Sequence, residues 1–153
     1  MITPGQTAPD FTLPRDGGGM VTLSALRPAK VAIVTYGADG TPSCTTELLE
    51  FNALLADFAA AGCTVVGVSK DSVKKHDGFI AKQGLGMILA SDAGGSMMES
   101  WGAYGQKLFF GKQVVGVLRT TFLIDHAGTV AQVWKVDRVK GHAADVLAAA
   151  RAL

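Results

Sequence analysis

The sequence predicts an α/β sandwich, a mixed sheet flanked by helices and preceded by a small N-terminal hairpin. Three observations carry that prediction. Lys30 to Tyr36 and Cys63 to Val68 are apolar and β-branched at consecutive positions, the pattern of strands buried on both faces of a parallel sheet. Between them Leu48, Phe51, Leu55 and Phe58 recur at helical spacing, so the three pieces read as one β-α-β unit with parallel strands. Farther on, two strand-like runs and a closing amphipathic segment add an antiparallel hairpin and a last helix.

In chain order, Phe11-Thr12-Leu13 and Met20-Val21-Thr22-Leu23 flank Pro14-Arg15-Asp16-Gly17-Gly18-Gly19, a small hairpin with a glycine turn. The run from Lys30 is the central strand. A helix follows from Cys44 to about Ala61 and stops at Gly62. Ser72 caps a helix from Val73 to about Gln83, Met87 to Ala90 is a short apolar piece, and Gly95 to Trp101 forms a turn or two of helix. The glycines, lysines and glutamines between Tyr104 and Gln113 predict an irregular loop. Val114 to Ile124 and Thr129 to Val136 are strands joined by the turn Asp125-His126-Ala127-Gly128, and His142 to Ala152 is the last helix. Such an order is that of a thioredoxin-like sandwich, in which ligands gather beyond the carboxyl ends of the parallel strands.

At 153 residues the chain is the size of one domain. Fourteen basic and thirteen acidic residues leave a formal charge of +1, so no global field points to nucleic acid or to an anionic membrane. The start lacks a basic segment followed by an apolar stretch, and no run approaches bilayer length, so a soluble cytoplasmic protein is expected. Two cysteines are too few for a disulfide framework, and three histidines far apart offer no ligand spacing. No cofactor or metal is called for.

The chemistry concentrates where the central strand gives way to Thr41-Pro42-Ser43-Cys44. Thr followed by Pro is a helix start, with Thr41 as N-cap and Pro42 at the first helical position. Cys44 then sits in the first turn, where unsatisfied N–H groups and the helix dipole favour an anion, and the loop keeps the sulfur near water. That anion is a thiolate, a nucleophile made ready at rest. Cys63, by contrast, opens an apolar strand and reads as a core residue. Arg119 lies inside a strand run, an unusual place for a charge unless it faces a site or a carboxylate. Glu47 either touches Arg119 or sits exposed near the positive helix end. His76 reads as a residue of a solvated helix face, His126 as part of a turn and His142 as a helix start. Trp101, Tyr104, Phe109, Phe110 and Trp134 read as core fillers, with pocket lining the lesser alternative.

At these residues the chain resembles the peroxiredoxins, and within them the bacterioferritin comigratory protein (peroxiredoxin Q) branch. The resemblance rests on Ala8-Pro9-Asp10-Phe11-Thr12-Leu13-Pro14, Thr41-Pro42-Ser43-Cys44-Thr45-Thr46-Glu47, Leu89-Ala90-Ser91-Asp92, Trp101-Gly102-Ala103-Tyr104-Gly105 and Arg119-Thr120-Thr121-Phe122-Leu123-Ile124-Asp125, and so covers nearly the whole chain. It implies a thioredoxin-like fold and reduction of hydrogen peroxide and organic hydroperoxides by a cysteine thiol. By position, Cys44 resembles the peroxidatic cysteine, Thr41 its hydroxyl partner and Arg119 the arginine facing the sulfur. Thr41 has two claims on its hydroxyl, the site and the helix cap. Two departures stand out. Gly37 occupies the place of a shielding proline, and Leu49 the place of a resolving cysteine carried by many members of the branch.

The expected function is therefore a thiol-dependent peroxidase of one-cysteine type, acting as a monomer or weak homodimer. Its partners are a hydroperoxide and an external reductant, either a thioredoxin-like or glutaredoxin-like protein or a small thiol. A disulfide reductase lacks the Cys-x-x-Cys pair, since Thr41 and Glu47 flank Cys44 at that spacing. A thiol sensor or holdase that oxidises Cys44 once is the competing reading.

Overall fold

The computed structural model describes residues 1–153. A five-stranded mixed sheet forms its centre, with Ile88–Ser91 (β5), Cys63–Ser69 (β4), Lys30–Thr35 (β3), Thr120–Ile124 (β8) and Val130–Lys135 (β9) side by side in that order. Strands β3 (Lys30–Thr35) and β4 (Cys63–Ser69) are parallel, as are β4 and β5 (Ile88–Ser91). Strands β8 (Thr120–Ile124) and β9 (Val130–Lys135) are antiparallel, and β8 runs against β3. The N-terminal hairpin, β1 (Thr12–Pro14) with β2 (Met20–Thr22), turns through three glycines of positive φ, as their lack of a Cβ permits.

Alternation along β3 divides the interior. Val31 and Ile33 join Phe11, Met98, Trp101 and Phe122 on one side of the sheet; Ala32, Val34 and Tyr36 join Leu48, Phe51, Phe58, Val146 and Leu147 on the other. The second core is roofed by α1 (Pro42–Ala53), α2 (Leu55–Ala60) and α5 (His142–Arg151), and α3 (Val73–Gln83) adds Phe79 to it. On the first side lies α4 (Ser96–Trp101). The Ser72 hydroxyl caps α3 by accepting from the Lys75 N–H at 3.1 Å, and Gly84 ends that helix in the left-handed region. No helix is long and apolar enough to cross a membrane.

Three expectations give way. The helix after Cys44 is not continuous to Ala61, because Leu54 leaves helical angles (φ −101°, ψ 8°) and divides it into α1 and α2. The stretch from Tyr104 is not an irregular loop: β6 (Tyr104–Phe109) and β7 (Lys112–Val117) form a hairpin through Phe110 and Gly111, both at positive φ. Its side chains alternate without a buried face, so no periodicity betrays it, and Phe109 and Phe110 stand exposed at its tip rather than in a core. The run Val114 to Ile124 is likewise two strands, broken at Leu118 and Arg119.

Phe51 is fully buried, packed against Phe58 (ring centroids 5.7 Å) and His142 (5.8 Å), and so pins α1 to α2 and α5. Phe51→Ala is expected to lower unfolding stability by about 3 to 5 kcal/mol, the range for emptying an aromatic site, measured by urea denaturation.

Candidate active site at the carboxyl edge of the sheet

After β3 the Tyr36 N–H is held by Val68 O (3.1 Å), and the chain then turns through Gly37 to Gly40 into α1. Cys44 is the third residue of that helix, as its Thr-Pro start implies. The sulfur, however, is not near water: Cys44 is 3% exposed. It shares the inward stripe with Leu48 and Phe51 at i+4 and i+7, a periodicity already present in the sequence. Gly37 lies against the sulfur, where an added Cβ would meet Sγ at 3.9 Å. A cavity of about 520 Å³ is lined by Gly37 and Arg119, both neighbours of Cys44, and by Lys107, Leu108 and Val117 among others.

Arg119 is brought over Cys44 by the break between β7 and β8. Thr35, buried at the end of β3, fixes that break by donating its hydroxyl to Leu118 O (2.8 Å) and accepting the Thr120 N–H (3.1 Å). The guanidinium then spans three side chains of the first turns of α1. Nη2 lies 3.5 Å from Cys44 Sγ and donates to Ser43 Oγ at 2.9 Å, while Nη1 donates to Glu47 Oε1 at 2.9 Å. Glu47 is therefore a partner of Arg119 and not an exposed helix-end charge; its side chain is 1% exposed. Burial pushes its carboxyl up to about 7 against the opposing pull of Arg119, and its Oε2 has no hydrogen-bond partner.

Thr41 has the backbone angles of an N-cap (φ −71°, ψ 146°), but its side chain does not cap the helix. The exposed hydroxyl donates to Ala38 O at 3.1 Å, which leaves its lone pairs free. Ser43 had no distinguishing mark in sequence, because only the position of a residue 76 places away gives it a role.

His76 is the clearest miss: far from a solvated face, it is fully buried. Its Nδ1 meets Asp39 Oδ2 at 2.6 Å and its Nε2 meets Ala90 O at 3.0 Å. Asp39 and Asp71 lie close enough with His76 to suggest an ion site, yet their atoms are spent on neighbours within the protein. Asp39 Oδ1 accepts from the Tyr36 hydroxyl, and Asp71 accepts from the Asp39 N–H, Ser69 and Lys75. This is a network of hydrogen bonds closed by the Asp71–Lys75 ion pair.

Cys63 lies at the other end of the sheet. Register pairs Lys30 with Cys63 and Thr35 with Val68, so β3 must run five residues, roughly 17 Å at ~3.3 Å each, before the chain turns towards Cys44. Burial pushes the Cys63 thiol up to about 11, with Lys30 pulling the other way. A larger hollow of about 720 Å³ borders Cys63, Leu55 and Met87, but its lining is mostly apolar and offers no charged group to a reacting oxygen. His142 is buried as well, accepting or donating across 2.8 Å to the Thr121 hydroxyl, a structural contact at the start of α5.

Comparison with known proteins places this geometry among relatives. Residues 4–133 match the AhpC/TSA family. The peroxiredoxin Bcp of Xanthomonas campestris is 46% identical over 143 residues, covering 94% of this chain and 89% of that protein. A putative peroxiredoxin of Coxiella burnetii is 43% identical over 146 residues, 95% and 97% of the two chains. Among solved structures, peroxiredoxin Q of X. campestris superposes with a TM-score of 0.89 at 43% identity, covering 99% of this chain and 96% of its own. A cysteine mutant of the Xylella fastidiosa protein superposes with a TM-score of 0.92 at 35% identity, over 99% and 97%. The X. campestris bacterioferritin comigratory protein is described for its alkyl peroxide reduction activity, and peroxiredoxin Q of that organism has been solved with each of two cysteines replaced.

Because the Glu47 carboxyl is raised from 4.5 to about 7 in the folded protein, the folded state holds more protons than the unfolded chain between those values. Its contribution to stability is complete below about 4.5 and is lost as pH rises through about 7. Glu47→Gln removes that slope, so the stability difference between variant and parent is expected to shift by on the order of 1 to 3 kcal/mol across this window, measured by denaturation at successive pH values.

Proposed function

The chain belongs to the AhpC/TSA family, among relatives named as peroxiredoxins, and on that premise we propose that it is a thiol-dependent peroxidase whose nucleophile is Cys44. The observation that carries the reading is the Arg119 guanidinium 3.5 Å from Cys44 Sγ, at the start of a helix and beside a cavity. Cleavage of an O–O bond needs a thiolate on one oxygen and positive charge near the other as it departs. A fixed arginine serves both needs, since it stays charged and donates several hydrogen bonds at once.

The Cys44 thiolate attacks the terminal oxygen of a hydroperoxide, an S–O bond forms, and the O–O pair of electrons leaves with the alkoxide or hydroxide. Arg119 stabilises that leaving oxygen, which takes up a proton to become alcohol or water. Thr41, its own hydroxyl proton committed to Ala38 O, accepts the hydroperoxide O–H and orients it. Cys44 is left as a sulfenic acid. An external thiol then condenses with it, releasing water and forming a mixed disulfide, and a second thiol restores Cys44 while the reductant leaves as its disulfide. Alkyl hydroperoxides are a fitting substrate class, since the cavity beside Arg119 offers Leu108, Val117 and Val136 to an alkyl group.

Resolution comes from outside the monomer. Cys63 is buried, its thiol is raised, and it lies far beyond the roughly 7 Å between Cα atoms that a disulfide tolerates. Leu49 offers no sulfur. The enzyme is thus of one-cysteine type, reduced by a thioredoxin-like or glutaredoxin-like protein, by a small thiol, or by a second copy of the chain.

Peroxide consumption with excess dithiol tests the proposal. Many equivalents per protein are expected for the parent and for Cys63→Ser, and none for Cys44→Ser, whose hydroxyl is too weak an acid to attack at neutral pH. A single stoichiometric burst in the parent would favour the sensor reading instead, and undiminished turnover by Cys44→Ser would remove the assignment altogether. Arg119→Met is expected to slow peroxide capture by about 10² to 10³-fold, the usual loss for one transition-state donor, measured by stopped-flow fluorescence.

A further inference from the structure

The loop from Gly37 to Gly40, which borders the Cys44 sulfur, ought to be loose. It carries two glycines, Gly40 at a φ of +87°, and Gly37 makes no backbone hydrogen bond. Yet Asp39, in the middle of it, is 6% exposed and bound on three sides. Its N–H donates to Asp71 Oδ2 (2.7 Å), its Oδ1 accepts from the Tyr36 hydroxyl (2.6 Å) and its Oδ2 meets His76 Nδ1 (2.6 Å). These bonds tie the loop to the end of β3, to the end of β4 and to α3.

Counting protons shows what the tie requires. A carbonyl oxygen only accepts, so His76 Nε2 must carry hydrogen to reach Ala90 O at 3.0 Å. Nδ1 then faces a carboxylate oxygen, and a contact of 2.6 Å there needs one proton between them. His76 and Asp39 therefore hold a shared proton inside the protein, where neither side chain reaches water. The other ionisable groups of the network are already satisfied: Tyr36 donates to Asp39, and Asp71 is paired with Lys75.

We propose that Asp39 and His76 are positioning residues, whose shared proton clamps the Gly37 to Gly40 loop beside Cys44 and supplies the stiffness its two glycines lack. Losing that proton sets lone pair against lone pair at 2.6 Å and releases the loop. The sense of the pH dependence follows. Burial lowers the His76 pKa, but the Asp39 bond and charge outweigh it and leave the value raised above 6.5. The clamp is complete below that ordinary value and is lost as pH rises through the raised one. The structural part stands on geometry alone; its effect on catalysis rests on the peroxidase reading of Cys44.

Two measurements on the full chain separate these parts. In the first, nitrogen-correlated NMR of the imidazole rings, assigned with His76→Gln, is expected to show a slowly exchanging proton on His76 Nδ1 at neutral pH that disappears at alkaline pH and in Asp39→Asn. A bare Nδ1 at neutral pH would overturn the clamp. In the second, single-turnover reaction of Cys44 with hydrogen peroxide is followed against pH for the parent, Asp39→Asn and His76→Gln. The parent is expected to react about 10 to 100-fold faster at neutral pH, the scale set by misplaced reacting groups, with the ratio falling towards one as pH rises through the His76 titration. A ratio of one throughout, or one that is constant with pH, overturns the positioning role. Tyr36→Phe removes a single bond from Asp39 and keeps the test open should the other variants misfold; a smaller effect with the same pH dependence supports the proposal, and none opposes it. Absence of any reaction in the parent would count against the peroxidase reading, while the NMR result would still decide the clamp.

Discussion

Strand β3 has no free face. Its alternate residues enter two different cores, and its neighbours on either hand, β4 parallel and β8 antiparallel, hold it by backbone hydrogen bonds over its whole length. A slip of one residue would exchange the two cores, so register is strongly determined. Everything at the site inherits that determination. The chain leaves β3 at one place, passes through six residues and starts α1, and the same end of β3 uses the Thr35 hydroxyl to set the break from which Arg119 reaches back.

Arg119 and Glu47 bring an electrostatic cost to this edge. A carboxylate excluded from water with one oxygen unpartnered is unfavourable, which is why its proton affinity rises despite the guanidinium alongside. What the pair secures is direction. With Nη1 held by Glu47 and Nη2 by Ser43, the guanidinium loses rotational freedom and keeps a donor aimed at the sulfur. A surface arginine would have to be ordered at the moment of reaction.

Burial of Cys44 and the glycine at position 37 act against each other. The inward helical stripe draws the sulfur into the core, while Gly37 brings no side chain against it. In the proposed clamp the loop is held through Asp39 at its middle, bonded to the Tyr36 hydroxyl beside it and to His76 of α3 and Asp71 from farther along the chain. That clamp differs from a single stiff residue, because it holds the loop through partners on other elements.

Periodicity and local stereochemistry alone determined the β-α-β unit, the strand-turn-helix handover at Thr41 and Pro42, the Ser72 cap and the two strands that close the sheet, because each of these is written within a few residues. The placement of Cys44 in the first turn of α1 was legible for the same reason. The β6–β7 hairpin was not, since a ribbon without a buried face leaves no alternation to read; nor was the break at Leu54, which no glycine or proline announces. Only the tertiary structure decided how deeply Cys44 is buried, that Glu47 faces Arg119, that the Thr41 hydroxyl turns to Ala38 and that His76 lies inside against Asp39. Each of those outcomes depends on groups that distant parts of the chain bring together, 72 residues apart for Glu47 and Arg119 and 37 for Asp39 and His76, and a polar side chain takes its ionisation and direction from whatever partner burial leaves within reach.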